Sequence, residues 1–328
     1  MATIDGRRVT AADIAREVGV SRATVGFVLN ATPGQTISEA TRRRVLSAAK
    51  RLGYRPHVAA QALRSGKSRI ILLVLPDWPI EYSMNRHLEE ASMVLDDAGY
   101  SLVTMTPHRG GRSRPLWETL QPDVVIGMLP FSRERYDEIS GSGVPVVTPG
   151  PEAGDADLDR ALFGQGPALQ VQHLVERGRS RLAFAAEADP RLASLVSSRR
   201  RVADRAAAEA GIAPIACEDV DERNALDVVA KWRERGVDGV VAYNDDIAAM
   251  VVGAALRLGL RVPEDLSVVG HDDAPLSRLF VPAISTIHVD NEGLGRYFAS
   301  IALSAAQGEP DLGADHEPRV SLVARESS

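Results

Sequence analysis

Val9-Thr-Ala-Ala-Asp-Ile-Ala-Arg-Glu-Val-Gly-Val-Ser-Arg-Ala-Thr-Val25 decides how the N-terminal end of this 328-residue chain reads. Thr10 can cap a helix, and Asp13, three places on, complements the positive end of the helix dipole. Ile14, Ala15 and Val18 then share one helical face. Gly19 can take a left-handed turn conformation, and Ser21 caps a second helix from Arg22 to about Leu29. Ala15 lets the two helices approach, Gly19 turns the chain and Val25 fills the joint. That is the pattern of a helix-turn-helix, whose second helix enters a major groove. A third helix is expected from Ser38, with Val45, Leu46, Ala49 and Leu52 closing a three-helix core and Arg42, Arg43, Arg44, Lys50 and Arg51 along it.

Charge separates this head from the rest. Residues 1–68 hold twelve Arg or Lys against four Asp or Glu, a surplus of +8, whereas the remainder is −14 and the whole chain −6. A basic head on an acidic body predicts an anionic partner for the head alone. A helical bundle without a ligand would show the same helices but has no need of the surplus. With 45% hydrophobic and 25% charged residues, disorder is excluded as the main state. The densest apolar run, Ile70 to Leu75, is far short of the roughly 20 residues of a membrane-spanning helix. MATIDGRRVT has charges with no apolar stretch behind them, so no signal peptide is visible, and a cytoplasmic location without membrane partners is expected. The single cysteine, Cys217, excludes an intramolecular disulfide and a cysteine-cluster zinc site.

After the third helix come Leu52-Gly-Tyr-Arg-Pro56 and the segment His57-Val-Ala-Ala-Gln-Ala-Leu-Arg-Ser-Gly66. Isolated helices shorter than about 12 residues are marginal in water, so this segment should fold only when something holds it. An alanine-rich face with one protruding leucine, Leu63, suits a paired helix that wedges a base step in the minor groove. An ordinary interdomain linker fits the same composition.

The runs VTAADIAREVGVSRATV, LGYRP and AAQALRSGKS together resemble the DNA-binding head and hinge of the lactose-repressor (LacI/GalR) family. The resemblance implies that Leu63 is the minor-groove wedge with Arg64 as its basic neighbour, and that Tyr54 and Pro56 position the hinge. It places Ser21, Arg22, Ala23, Phe27 and Asn30 at groove-facing positions of the reading helix, with Thr10, Thr24 and Tyr54 also in the DNA-binding set. Two departures stand out. Where the family usually shows Thr-Val-Ser-Arg, this chain has Thr24-Val25-Gly26-Phe27. Gly26 costs about 1 kcal/mol in helix propensity. Phe27 can touch a thymine methyl but makes no bidentate contact, which leaves Arg22 as the candidate for reading a guanine.

From Arg69 short apolar strands alternate with helices. Strands are expected at Ile70–Leu75, Ser101–Thr106, Asp123–Met128, Pro145–Thr148, Arg181–Ala185, Gly239–Tyr243 and Ser267–Gly270. Helices are expected at Met84–Ala98, about Arg114–Leu120, Arg133–Ser140, Ala168–Glu176, Arg199–Ala210, Asn224–Arg235, Ala248–Leu258 and Gly293–Ala306. Such alternation gives parallel sheets covered by helices on both faces. About 100 residues in each half suggest two lobes, with a ligand at the carboxyl ends of the strands, between them. Arg261-Val-Pro-Glu-Asp-Leu-Ser-Val-Val-Gly-His-Asp-Asp273 and Ala242-Tyr-Asn-Asp245 are similar to the family's effector domain. By that resemblance Arg199, Asn244 and Asp272 are polar ligand contacts. A guanidinium and a carboxylate can each form paired hydrogen bonds with neighbouring hydroxyls. Trp78 and Phe280 are candidate stacking surfaces for a sugar ring, or plain core and loop packing. Departures include a shortened Thr106–Asp123 segment, Val202 where glycine is common, and Val220 near a position that is aromatic in several members.

The expected fold is thus an N-terminal all-α helix-turn-helix head plus an α/β two-lobed periplasmic-binding-protein-like (type I) effector domain. The expected boundaries are 1–56 for the head, 57–68 for the hinge and 69–328 for effector binding and dimerisation. The lobes are expected at 69–167 plus 291–316 and at 168–290 plus 317–328. The resemblance implies a homodimeric transcriptional regulator, most simply a repressor, on a palindromic double-stranded DNA operator, controlled by a small-molecule effector such as a sugar. The alternative is a ligand-binding or hydrolytic enzyme on a sugar-binding-like fold with incidental DNA contact. Against it, there is no Gly-x-Ser-x-Gly elbow and no phosphate loop, and Gly164-Gln-Gly166 lacks a third glycine. His271-Asp272-Asp273 could suggest metal ligands, but chain neighbours at a strand end point different ways. No catalytic residue, metal or cofactor is expected.

Overall fold

The computed structural model describes residues 3–4, 7–30, 32, 34–54, 66–107, 114–150, 165–308 and 319–328. The chain divides into two compact units, Met1–Ser68 and Arg69–Ser328. In the first, a short antiparallel pair, β1 (Thr3–Ile4) and β2 (Arg7–Arg8), precedes α1 (Ala11–Val18), α2 (Arg22–Leu29) and α3 (Glu39–Leu52). The N–H and hydroxyl of Thr10 both donate to Asp13 Oδ2, at 2.9 and 2.7 Å, and fix the start of α1. Gly19 ends it at φ 72°, a backbone shape that costs glycine little. Ser21 Oγ accepts from the Thr24 N–H at 3.0 Å and starts α2.

Ile14, Ala15, Val18, Val25, Val28, Val45, Ala48 and Ala49 form the core of this unit, with Leu52 and Tyr54 packed against it. One expected core residue is wrong: Leu46 is 48% exposed, and Ala48 is buried instead. Val45, Ala48, Ala49 and Leu52 follow the i, i+3, i+4, i+7 rule, and a residue one step after Val45 turns off that face. Leu63, Arg64 and Pro56, and the expected hinge helix up to residue 65, lie outside the described residues.

The second unit carries two parallel four-stranded sheets. The first is built from β3 (Ile70–Val74), α4 (Tyr82–Asp97), β4 (Ser101–Met105), α5 (Leu116–Leu120), β5 (Val124–Gly127), α6 (Arg133–Gly141) and β6 (Val147–Thr148), in the order β4-β3-β5-β6. The second follows from α7 (Gly166–Glu176), β7 (Leu182–Glu187), α8 (Ala193–Glu209), β8 (Ala216–Val220), α9 (Ala225–Arg235), β9 (Gly239–Ala242), α10 (Asp245–Arg257) and β10 (Ser267–Val269), in the order β10-β9-β7-β8. Both sheets therefore place their first strand second from one edge. β5 and β9 are buried at every residue, as sheets covered on both faces require.

α11 (Pro275–Leu279) leads to β11 (Thr286–Val289), then α12 (Asn291–Gln307) and β12 (Val320–Val323). β11 and β12 pair antiparallel, with Thr286 opposite Val323. Ala299 and Ala302 of α12 instead enter the first lobe's core with Ile71, Leu73, Ala91 and Leu95. α8 begins at Ala193 rather than at Arg199, and β8, β11, β12 and α11 were not expected. A 3₁₀ turn, Pro190–Leu192, capped by Asp189, starts the α8 region early.

Candidate nucleic-acid interface and ligand cleft

On α2 the burial pattern fixes the outward face. Val25 and Val28 point into the core, whereas Ser21, Arg22, Ala23 and Phe27 are exposed and Thr24 and Asn30 are half-buried. Several of the expected readers already hold the fold. Ser21 Oγ caps α2 and lies 2.9 Å from Thr24 Oγ1. Asn30 Nδ2 donates to the Gly26 carbonyl. Thr10 is tied to Asp13, and Tyr54 packs on the three-helix core. Arg22 differs: exposed at the first position of α2, its side chain has no hydrogen-bond or ion-pair partner among the described residues. Phe27, on the same helix, is 36% exposed and adds an apolar surface to it.

In the second unit, strand C-termini deliver the polar groups. β9 runs into Tyr243, Asn244 and Asp245, and β10 into His271, Asp272 and Asp273. Arg199 comes from α8 and is 5% exposed. Its Nη1 donates to the Tyr243 carbonyl, its Nη2 lies 3.4 Å from Asp272 Oδ1, and its guanidinium sits 4.5 Å from the centre of the Tyr243 ring. His271 Nδ1 is 2.8 Å from the same Asp272 oxygen.

Burial would raise the Asp272 carboxyl, but Arg199 and His271 together overcome that and hold it well below the usual carboxylate range. Burial, reinforced by Arg199, lowers His271, so the ring stays neutral. An ionised Asp272 can only accept, so Nδ1 carries the His271 proton. Asp272 has φ 96°, a strained value for a side-chain-bearing residue. Such outliers concentrate where a fold holds a residue for use and cost of order 1–3 kcal/mol.

The first lobe reaches this cluster through Glu81, just before α4. Asn244 Nδ2 donates to Glu81 Oε2 at 3.3 Å, and Asn244 Oδ1 caps α10 by accepting from the Ile247 N–H at 2.9 Å. Burial, then the charge of Asp272, raises Glu81. Trp78, in the loop after β3, packs against the hydrophobic cores of both lobes. Behind the cluster, Asp245 is 1% exposed, accepts from Thr286 Oγ1 at 2.5 Å and the Ala274 N–H at 2.7 Å, and is pushed by burial up to about 8.

Arg199, Asn244 and Asp272 are thus brought together, with Trp78 between the lobes. Phe280 stands elsewhere, lining a groove with Leu226, Met250, Gly253, Arg257 and Leu276. Asp273 turns away to Arg325 Nη2 at 2.5 Å and is structural. Among the described residues no group of three His, Cys, Asp or Glu is arranged to hold a metal ion, and no helix is long and apolar enough to cross a membrane. Sequence reading missed Glu81, Tyr243 and His271 as members of the cluster. Their signal was position, since each follows closely on a strand of a parallel sheet.

Comparison with known proteins agrees with both halves. Residues 10–57 match the profile of bacterial regulatory proteins of the lacI family, and residues 171–328 a periplasmic binding protein-like domain. The HTH-type transcriptional regulator GntR of Pseudomonas aeruginosa is 30% identical over 98% of this chain and 96% of its own. The HTH-type transcriptional repressor PurR of Vibrio vulnificus is 28% identical over 95% and 94%. The crystal structure of the lac repressor dimer bound to operator and the anti-inducer ONPF superposes with a TM-score of 0.76 at 25% identity, covering 98% of this chain and 99% of that one. These relatives are regulators over nearly their whole length, and the enzymatic alternative falls. The chain belongs to the lacI family of bacterial regulatory proteins: a DNA-binding transcriptional regulator with a helix-turn-helix head and a two-lobed periplasmic-binding-protein-like body.

Proposed function

We propose that this regulator is a repressor that binds a roughly palindromic operator as a homodimer and answers to a small polyhydroxylated effector, of the sugar type, held between its two lobes. The observation that carries the reading is the buried cluster of Arg199, Asp272 and Asn244, which meets Glu81 from the opposite lobe. A planar guanidinium, a carboxylate and an amide at one cleft suit paired hydroxyls. In this reading Arg22, Ala23 and Phe27 face the major groove, with Ser21, Thr24 and Asn30 beside them. Leu63 wedges a base step and Arg64 contacts the minor groove. The lac repressor structure described above is a dimer on its operator, which supports the same arrangement here.

The mechanism is linkage. An effector that binds one angle between the lobes better than another shifts the separation of the two hinge segments. Effector and operator then change each other's affinity by one common factor. Two-fold symmetry demands an inverted repeat, and phosphate neutralisation makes affinity fall steeply with salt. The test is a fluorescence-anisotropy titration of the full chain on a duplex carrying the inverted repeat of its own promoter. Tight binding there and weak, salt-sensitive binding to a scrambled duplex are expected. Equal affinity for both at physiological salt would end the reading.

A further inference from the structure

We propose that the cleft ligand carries a protonated amine alongside its hydroxyls, an amino-polyol, and that Glu81 is the carboxylate that receives the amine. The inference rests on the reading of the cleft as the small-molecule site and adds the charge of the occupant.

The charges at the cleft do not balance. Glu81 lies within electrostatic reach of Asp272, Glu187 and Arg199, so three carboxylates share one guanidinium. Arg199 is already committed, since Nη2 faces Asp272 and Nη1 serves the Tyr243 carbonyl. His271 is buried and neutral and offers no second positive charge. Among the described residues the Glu187 carboxylate, at the end of β7, accepts only the Asp189 N–H at 3.1 Å. Among the described residues the Glu81 carboxylate has the Asn244 amide at 3.3 Å, a long neutral hydrogen bond, as its side-chain partner. Two carboxylates therefore stand half-buried without a cation of their own among the described residues. Carboxylates withdrawn from water and left without a cation are costly, and a ligand that supplies one relieves the cost. An ammonium on a carboxylate is also among the stronger hydrogen bonds available.

A second observation points to hydroxyls on the same ligand. Arg199 Nε is buried and has no partner among the described residues. A buried donor of this kind needs an acceptor, and a ligand hydroxyl oxygen supplies one. A sugar acid or sugar phosphate would bring further negative charge to two uncompensated carboxylates. The cleft thus selects against anions and for a cation with hydroxyls.

The test uses the full-length chain and four probes at neutral pH: glucosamine, glucose, gluconate and glucose 6-phosphate. Thermal-shift titrations give an affinity for each, because a ligand that binds only the folded state raises Tm by mass action. Glucosamine is expected to bind at least tenfold more tightly than glucose, and the two anions least. Glu81→Gln is expected to bring the glucosamine-to-glucose ratio down towards one. Without any ligand, Glu81→Gln is expected to raise Tm, since it removes a repelled carboxylate while keeping the shape. Glucose or either anion binding as tightly as glucosamine would overturn the amine proposal and leave the effector cleft standing. A fall in the ligand-free Tm of Glu81→Gln would overturn it independently. If none of the four probes stabilises the chain, the small-molecule reading of the cleft goes, and the amine with it.

Discussion

Gly166, in the first turn of α7, lies so close to His271 that a β-carbon at position 166 would stand 2.2 Å from the ring Nε2. The glycine leaves the room that the imidazole occupies beside Asp272. Gly166→Ala should push the ring off the Asp272 oxygen and cost about 1–3 kcal/mol, the usual price of overpacking a filled site. The measure is the urea midpoint, and a midpoint equal to wild type would mean that α7 yields freely at this turn.

Asp245 predicts a pH dependence of stability. Its folded-state value near 8 lies above the model-peptide value of 3.8, because burial outweighs its hydrogen bonds to Thr286 and Ala274. Below pH 4 the group is protonated in both states and carries no penalty. Between about 4 and 8 the unfolded chain releases the proton and the folded chain keeps it, so stability falls as pH rises. The slope approaches about 1.4 kcal/mol per pH unit at most. Asp245→Asn should flatten the curve over this window. A wild-type curve parallel to that of the variant would contradict the raised value.

Arg199→Met should strand Asp272 as a buried charge with no cation beside it. Removing one partner of a buried pair costs about 3–5 kcal/mol. Adding Asp272→Asn to the same chain should recover most of that loss. Chemical denaturation of the two single variants and the double closes the cycle, and additive losses would show that the two side chains are not coupled.

Gly26 has open space around the position a β-carbon would take, with nothing within 4 Å. Gly26→Ala should therefore stabilise the head by about 0.5–1 kcal/mol through the helix preference alone. Thermal melts of the full chain followed at the head, for instance by hydrogen exchange of α2 amides, would register it. Faster exchange of the α2 amides in wild type than in the variant is the result that fits; faster exchange in the variant refutes it.

Leu63→Ala should weaken operator binding while leaving non-specific, salt-sensitive binding nearly intact, because an apolar wedge adds affinity only where a base step opens for it. Anisotropy on specific and scrambled duplexes separates the two. Equal loss on both would place Leu63 in the fold of the segment, not in the groove.

Much of the architecture could be read from the chain because its signals are local. Thr10 with Asp13, Gly19 and Ser21 mark helix ends by short-range hydrogen bonds, and the buried strands Ile70–Val74 and Gly239–Ala242 are continuous apolar runs. Readings failed where the deciding contact is distant. β8 reads Ala-Cys-Glu-Asp-Val, a poor strand by composition, and is made a strand only by its edge pairing with β7. β12 is four residues whose partner, β11, lies beyond a whole helix. Leu46 looked like core because it is leucine, and the helix phase overruled its hydrophobicity. In the cleft, Arg199, Asn244 and Asp272 were found through motif resemblance, whereas Glu81 comes from the other lobe, 163 residues from Asn244 in the chain. Nothing in the local sequence announces that meeting.

The placement of α12 bears on how this molecule is made. The helix follows β11 and precedes β12, yet it packs into the opposite lobe. A ribosome thus delivers one edge of the second lobe, then a wall of the first, then the strand that completes the second. Neither lobe can be excised as one uninterrupted fragment, and a gene cut to express either alone would yield a half-built piece. Their interleaved order obliges the two to mature together during synthesis.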